Sequence, residues 1–302
     1  MPYELITILG PTASGKTTVA TQLAARMGGE IISADSRQVY RGMDIGTGKD
    51  LAEYTVGEKA IPYHLIDIVD AGYRYSVYEF QRDFRQAFAD ICSRKKTPIL
   101  CGGSGMYIDA AVNGYSLPEV PPNHELRAEL ELLSDEELAA KLLSLKALHN
   151  RSDVDTRKRT IRAIEIALHE QQTPTTDFQP IKNVYIGISV DREARRARIT
   201  ERLHARLRSG MVQEVEKLLA SGIPAENLEY YGLEYKFLTE YITGKLQYNE
   251  MVQQLNVAIH QFAKRQMTWF RHMERKGAVI HWIDGFLPVE EKLEKITSII
   301  NG

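Results

Sequence analysis

The chain has 302 residues and a formal net charge of −2, a length that can bury a large core, or a core domain with a smaller companion, without disulfide or metal staples. The near-neutral charge excludes a uniformly basic coat, so any nucleic-acid surface has to be local. No run approaches the roughly 20 apolar residues of a membrane helix, and with no basic leader or cleavage site before the first strand pattern the chain reads as soluble and cytoplasmic.

A short apolar run, Leu5–Leu9, leads into a glycine-rich segment and a helical pattern over Lys16–Met27. A second run, Glu30–Ala34, precedes a helix expected over Ser76–Lys95. There Ser76 and Glu79 form a capping box, and Val77, Phe80, Phe84, Phe88 and Ile91 fall on one stripe. Pro98–Cys101 is a third strand pattern. Short apolar strands alternating with helices predict a parallel sheet covered on both faces. Pro118, Pro121 and Pro122 close this unit. From Glu119 to about Gln172 the chain is charged, helical and poor in strands, with a second capping box at Ser134 and Glu137. Strand patterns return at Val184–Val190 and Ala278–Trp282 and can rejoin the first sheet, because sequence order need not equal spatial order. The expected fold is α/β, a P-loop NTPase-like parallel sheet flanked by helices. Residues 1–118 form the first part of its core, 119–175 a smaller helical insertion, and 176–302 the second part with the C-terminal helices. The stretch 173–183 is the expected flexible return from the insertion. Cys92 and Cys101 lack the spacing of a zinc site or a disulfide framework and read as inert, partly buried thiols.

Gly10-Pro11-Thr12-Ala13-Ser14-Gly15-Lys16-Thr17 fits G-x-x-x-x-G-K-S/T between a strand and a helix pattern, the context that separates this motif from a chance match. Glycines let several backbone amides point at one phosphate group, and the helix N-terminus adds a favourable field. Lys16 supplies a positive charge, and the Thr17 hydroxyl can hold Mg2+. The loop names a diphosphate or triphosphate ligand and not a reaction. Asp35 follows the second strand, at the carboxyl edge where open parallel sheets bind ligands. A carboxylate there can accept a proton or hold a metal-bound water; as an Asp it serves equally well as a turn or N-cap residue.

The segment Ser33–Lys49, SADSRQVYRGMDIGTGK, following GPTASGKT, resembles the tRNA dimethylallyltransferase family. The likeness continues through Tyr63–Asp67, Tyr75-Ser76, Gly102–Tyr107, Arg159 with Arg162–Glu165, and Ala263–Arg271, and so spans almost the whole chain. It implies that Gly10, Pro11, Thr12, Ala13, Ser14, Gly15, Lys16 and Thr17 hold the diphosphate of dimethylallyl diphosphate with Mg2+ at Thr17, and that no nucleotide is consumed. Asp35 would be the general base toward the exocyclic N6 amine of the adenine 3′ of the tRNA anticodon, with Thr12 and Lys16 catalytic beside it. Asp35, Ser36, Arg37 and Gln38 would contact the flipped-out base and its neighbours. Ser104, the run Lys158, Arg159, Thr160, Ile161 and Arg162, and the group Lys264, Arg265, Gln266 and Arg271 would contact the anticodon loop. A proton acceptor and a neutralised leaving group are what a weakly nucleophilic amine needs, and flipping a base costs least in a single-stranded loop.

The alternative reading of the basic run is a solvated helix face. The helix bearing Arg192, Arg195, Arg196, Arg198, Arg202, Arg206 and Arg208 is a candidate for phosphate contacts, whereas Trp269 and Phe270 read as core. Departures from the family pattern are Ser104 where Thr is usual, Asp155-Thr156 for an Asn-Asp pair, a short insertion, and Glu229 in place of an Arg associated with the diphosphate. Alternatives are a prenyltransferase acting on free adenine nucleotides, a P-loop nucleotide kinase, and a tRNA-binding paralogue without activity. A monomer is expected.

Overall fold

A computed structural model describes residues 2–114, 117–145, 154–172 and 178–302. Residues 173–177 of the expected flexible return lie outside that range. The chain forms two compact units, one of residues 1–113 with 180–302 and one of 114–179.

In the larger unit the elements run β1 (Leu5–Leu9), α1 (Lys16–Met27), β2 (Glu30–Ala34), β3 (Tyr40–Arg41), β4 (Thr55–Val56), β5 (Lys59–Ala60), β6 (Tyr63–His64), β7 (Val69–Asp70), α2 (Val77–Ser93), β8 (Pro98–Gly102) and α3 (Gly105–Val112). The smaller unit supplies α4 (His124–Leu130), α5 (Asp135–Leu145) and α6 (Arg157–Gln172). The larger resumes with β9 (Asn183–Ser189), α7 (Arg192–Arg208), α8 (Met211–Ala220), α9 (Ala225–Tyr230), α10 (Leu233–Ile242), α11 (Tyr248–Arg275), β10 (Ile280–Asp284) and α12 (Val289–Asn301).

Six strands make one parallel sheet in the order β10-β9-β1-β8-β2-β6. The late strands therefore rejoin the early sheet, beside β1. Alternate residues of β1 enter two cores: Leu5 and Leu9 pack with Phe80, Phe84, Tyr107, Leu203 and Phe270, while Ile6 and Ile8 pack with Val19, Leu23, Leu293 and Ile296. Burial on both faces is why these strands read as continuous apolar runs. The Ser76–Glu79 capping box is present at α2. The last strand begins two residues later than its sequence pattern. Gly277, at φ +99°, turns the chain out of α11, and pairing starts only at Ile280 opposite Tyr185.

In the smaller unit, Leu130, Leu138 and Leu142 pack on Ile161, Ala163 and Ile164. The buried Glu165 carboxylate accepts from Arg127, Arg162 and the Asn123 N–H at 2.6–2.8 Å. Among the described residues no helix is long and apolar enough to cross a membrane.

Candidate functional site

Strand β1 ends at Leu9, and the next six residues turn back over the N-terminus of α1. Two of them hold left-handed backbone, Ala13 at φ +61° and Gly15 at φ +81°. Gly10 is required by space, since a Cβ there would lie 2.7 Å from Ser14 Oγ and 2.8 Å from the Ile188 carbonyl. Ser14 Oγ is buried without a partner among the described residues; an unpaired buried hydroxyl in a loop of this shape suits a phosphate oxygen.

The loop opens into two adjoining chambers. The smaller, about 90 Å³, is polar and is lined by the loop with Asp35, Gln38, Asp50, Glu53, Cys101, Arg202 and Arg206. The larger, about 280 Å³, shares Thr12, Lys16, Asp35, Arg202 and Arg206 and adds an apolar wall of Tyr231, Leu233, Tyr235, Ile259 and Phe262. A charged head group followed by a short apolar tail fits this pair of environments.

Lys16 is enclosed, and burial, as the largest cause, lowers its ammonium below the ordinary lysine value. Arg202 donates to Thr12 Oγ1; burial first, then the Arg206 charge, lowers it to about 10. Arg206 lies 3.8 Å from Asp50 with only 13% of its side chain exposed. Three cations thus converge on one chamber, which is costly in an empty fold and favourable once an anion enters. Burial raises the carboxyls of Glu53 and Glu234 and pushes the Cys101 thiol up to about 12. Cys101 is a buried chamber wall, while Cys92 is exposed.

Asp35 sits just past β2, its Oδ1 accepting the Arg37 N–H at 2.9 Å. This Asx turn fixes the carboxylate at the chamber edge and leaves Oδ2 for another partner. The turn and cleft readings of Asp35 are therefore both present in one residue. Ser36 N–H donates to Ser104 Oγ at 3.2 Å, joining two of the expected contacts.

The structure reassigns several others. The Gln38 amide accepts from Ser33 and donates to the Gly48 carbonyl. Gln266 is 7% exposed; its Oε1 accepts the Thr12 N–H at 2.8 Å and its Nε2 donates to the Gly103 carbonyl at 3.0 Å. Both amides brace the cleft whose chambers they line. Thr160 and Ile161 have buried side chains inside the smaller unit, Ile161 in its apolar core and Thr160 with its hydroxyl donating to the Thr156 carbonyl. In the same run Arg162 is tied to Glu165 and the Val120 carbonyl. Lys158 and Arg159 remain exposed.

Helical geometry splits the remaining basic groups. Arg265 lines the larger chamber, whereas Lys264 and Arg271 line a separate cavity with Arg192, Arg195 and Arg196. Arg195, Arg198, Arg202 and Arg206 do not act as one face: Arg198 lies over the Phe286 ring, and only Arg202 and Arg206 reach the phosphate loop. Glu229 accepts from Lys245 at 2.7 Å and lines neither chamber. Glu229 thus sets no carboxylate against either chamber, and Arg206 brings a cation to them from another helix.

Sequence reading missed Glu214. Its carboxylate accepts the backbone N–H groups of Asp44, Ile45 and Gly46 at 2.7–3.0 Å and the Tyr235 hydroxyl at 2.6 Å, holding the loop that walls both chambers. Nothing in its helical surroundings marks that role. Glu214→Ala should cost about 2–3 kcal/mol in urea unfolding, because a hydrogen bond to a charged group contributes ~1.5–3 kcal/mol. An unchanged midpoint would mean the loop is held by other contacts.

A phosphate loop, three converging cations, a carboxylate at the chamber edge and an apolar annex define a group-transferring enzyme of the phosphate-loop α/β class. The family described as IPP transferase matches residues 38–273, and isopentenyl transferase matches residues 3–67. The chain belongs to the IPP transferase family. tRNA dimethylallyltransferase 1 of Parabacteroides distasonis is 60% identical over 302 residues, covering 99% of this chain and 98% of the relative. tRNA dimethylallyltransferase 1 of Porphyromonas gingivalis is 58% identical over 297 residues, covering 98% of each. The crystal structure of a tRNA isopentenylpyrophosphate transferase from Bacillus halodurans superposes with a TM-score of 0.73 at 33% identity, covering 99% of this chain and 95% of that one.

Proposed function

We propose that the chain transfers a dimethylallyl group from dimethylallyl diphosphate to the N6 amine of the adenine 3′ of the anticodon in tRNA, releasing diphosphate. The observation that carries the reading is the pairing of a polar, cation-ringed chamber with an apolar annex, with Asp35 bordering both. The diphosphate would lie on the loop amides and the Ser14 hydroxyl, with Lys16, Arg202 and Arg206 neutralising the charge that grows as the carbon–oxygen bond breaks. The five-carbon tail would rest against Leu233, Ile259 and Phe262. The free oxygen of Asp35 would take the proton released by the adenine amine as the carbon–nitrogen bond forms.

Thr17, Asp35 and Glu53 offer oxygen ligands in the small chamber, the donor type Mg2+ takes. Among the described residues no cluster of three His, Cys, Asp or Glu could hold an ion by itself, which suits a site completed by substrate phosphate. When bound there, Mg2+ would supply charge stabilisation to the departing diphosphate. The RNA reading is supported by exposed Lys158 and Arg159 and by Arg37 and Arg265 at the larger chamber. A tRNA substrate also fits the expected cytoplasmic location.

The test is to incubate the purified protein with Mg2+, dimethylallyl diphosphate and unmodified tRNA carrying that adenine, then digest the RNA and weigh its nucleosides. One dimethylallyl group gained on that adenosine is the expected result. Prenylation of free adenine nucleotides in its place would move the assignment to a nucleotide prenyltransferase, and tRNA binding without mass gain would indicate an inactive binder.

A further inference from the structure

The second basic cavity plays no part in the chemistry above. Helix α7 contributes Arg192, Arg195 and Arg196, and α11 contributes His260, Lys264 and Arg271, around a space of about 460 Å³. No carboxylate lines it. Among the described residues none of these five Arg and Lys side chains has an acidic partner within 4.0 Å, although the chain as a whole carries slightly more acidic than basic residues. Asp191, whose charge acts on Arg195, has its Oδ1 committed to capping α7 through the Glu193 and Ala194 N–H groups.

The uncompensated charge is held against an apolar floor that includes Ile199 and Met267. Burial, then the Arg271 and Arg192 charges, lowers Arg195, and His260 Nδ1 is buried without a partner among the described residues. Solvated basic faces are convex and interspersed with acids; a concave, acid-free cluster on a low-dielectric floor is a site for an anion larger than one ion. Planar guanidinium forks at close spacing suit phosphate oxygens, which they bind bidentately.

We infer that this α7–α11 cavity is a phosphate-backbone site that seats the RNA substrate away from the reacting base. The inference rests on the RNA-prenylating reading. Backbone contacts of this kind set register and affinity and carry no base specificity.

The test compares the wild-type protein with Arg195→Ala/Arg196→Ala and Arg195→Lys/Arg196→Lys. The measurements are RNA affinity between 50 and 200 mM salt, binding of inorganic phosphate, kcat at saturating RNA, and KM for dimethylallyl diphosphate. The alanine variant should bind RNA about 10-fold or more weakly with a salt slope shallower by about 2, as expected for two lost phosphate contacts. Its kcat at saturating RNA and donor KM should be unchanged, and the lysine variant should retain most of the slope. Wild-type RNA affinity and slope in the alanine variant would overturn the inference alone. So would loss only of inorganic phosphate binding, which would mark a small-anion site. A wild-type protein that neither binds nor prenylates RNA would overturn the functional reading and this inference together.

Discussion

Asp35→Asn should lower kcat by about 10²–10⁴-fold, the usual contribution of a positioned general base, while leaving dimethylallyl diphosphate binding intact. The asparagine substitution is the discriminating one. Asn Oδ1 can still accept the Arg37 N–H now held at 2.9 Å, so the turn after β2 survives and only the proton acceptor is removed. Asp35→Ala loses both and should be at least as slow, with a further loss of stability. Single-turnover prenyl transfer, with donor binding measured separately, resolves the two effects. Undiminished turnover in the asparagine variant would remove Asp35 from the chemistry and leave it a turn residue.

Lys16→Met should reduce kcat/KM for the donor by about 10²–10³-fold, on the scale of losing one preorganised charge at a leaving group. A pH effect accompanies it. Burial lowers the Lys16 ammonium below 10.5, so in the alkaline window between the lowered value and 10.5 the unfolded chain binds more protons at this site than the fold does. Stability of the ligand-free protein should therefore rise with pH across that window. Donor affinity has the opposite sign. A diphosphate favours the charged form, so binding takes up a proton and weakens as pH rises through the lowered value. Lys16→Arg removes the Lys16 share of this dependence and leaves that of Arg202, which burial lowers to about 10. A donor affinity independent of pH in the native enzyme would show that Lys16 does not face the diphosphate.

The two stretches that define the site were legible because their physics is local. A glycine-rich turn between a strand and a helix makes an anion cradle wherever it occurs, and its left-handed Ala13 and Gly15 sit where the motif places them. The boundaries of α1 and α2 followed from the same kind of signal, apolar periodicity and a capping box. The position of Asp35 also followed, since a residue just past a parallel strand lies at the ligand-binding edge.

Side-chain direction is what local pattern could not supply. Gln266 and Arg265 are neighbours in one motif, yet a step of about 100° around α11 makes the first a buried clamp between Thr12 and Gly103 and leaves the second beside the larger chamber. Along α7 the division is axial: Arg195 lies on nearly the same face as Arg202 and Arg206, yet it lines the α7–α11 cavity while they, about two to three turns further on, line the chamber at the phosphate loop. Glu229, which stands where the family pattern has an Arg, is turned by the fold toward Lys245. Thus the sequence alone determined the phosphate cradle, the α/β architecture and the family, because each is written in short-range spacing or in the likeness of whole segments. Only the tertiary structure decided which charges face the ligand, which amides brace the cleft and where Glu214 anchors its wall, because those depend on packing between residues up to 254 positions apart.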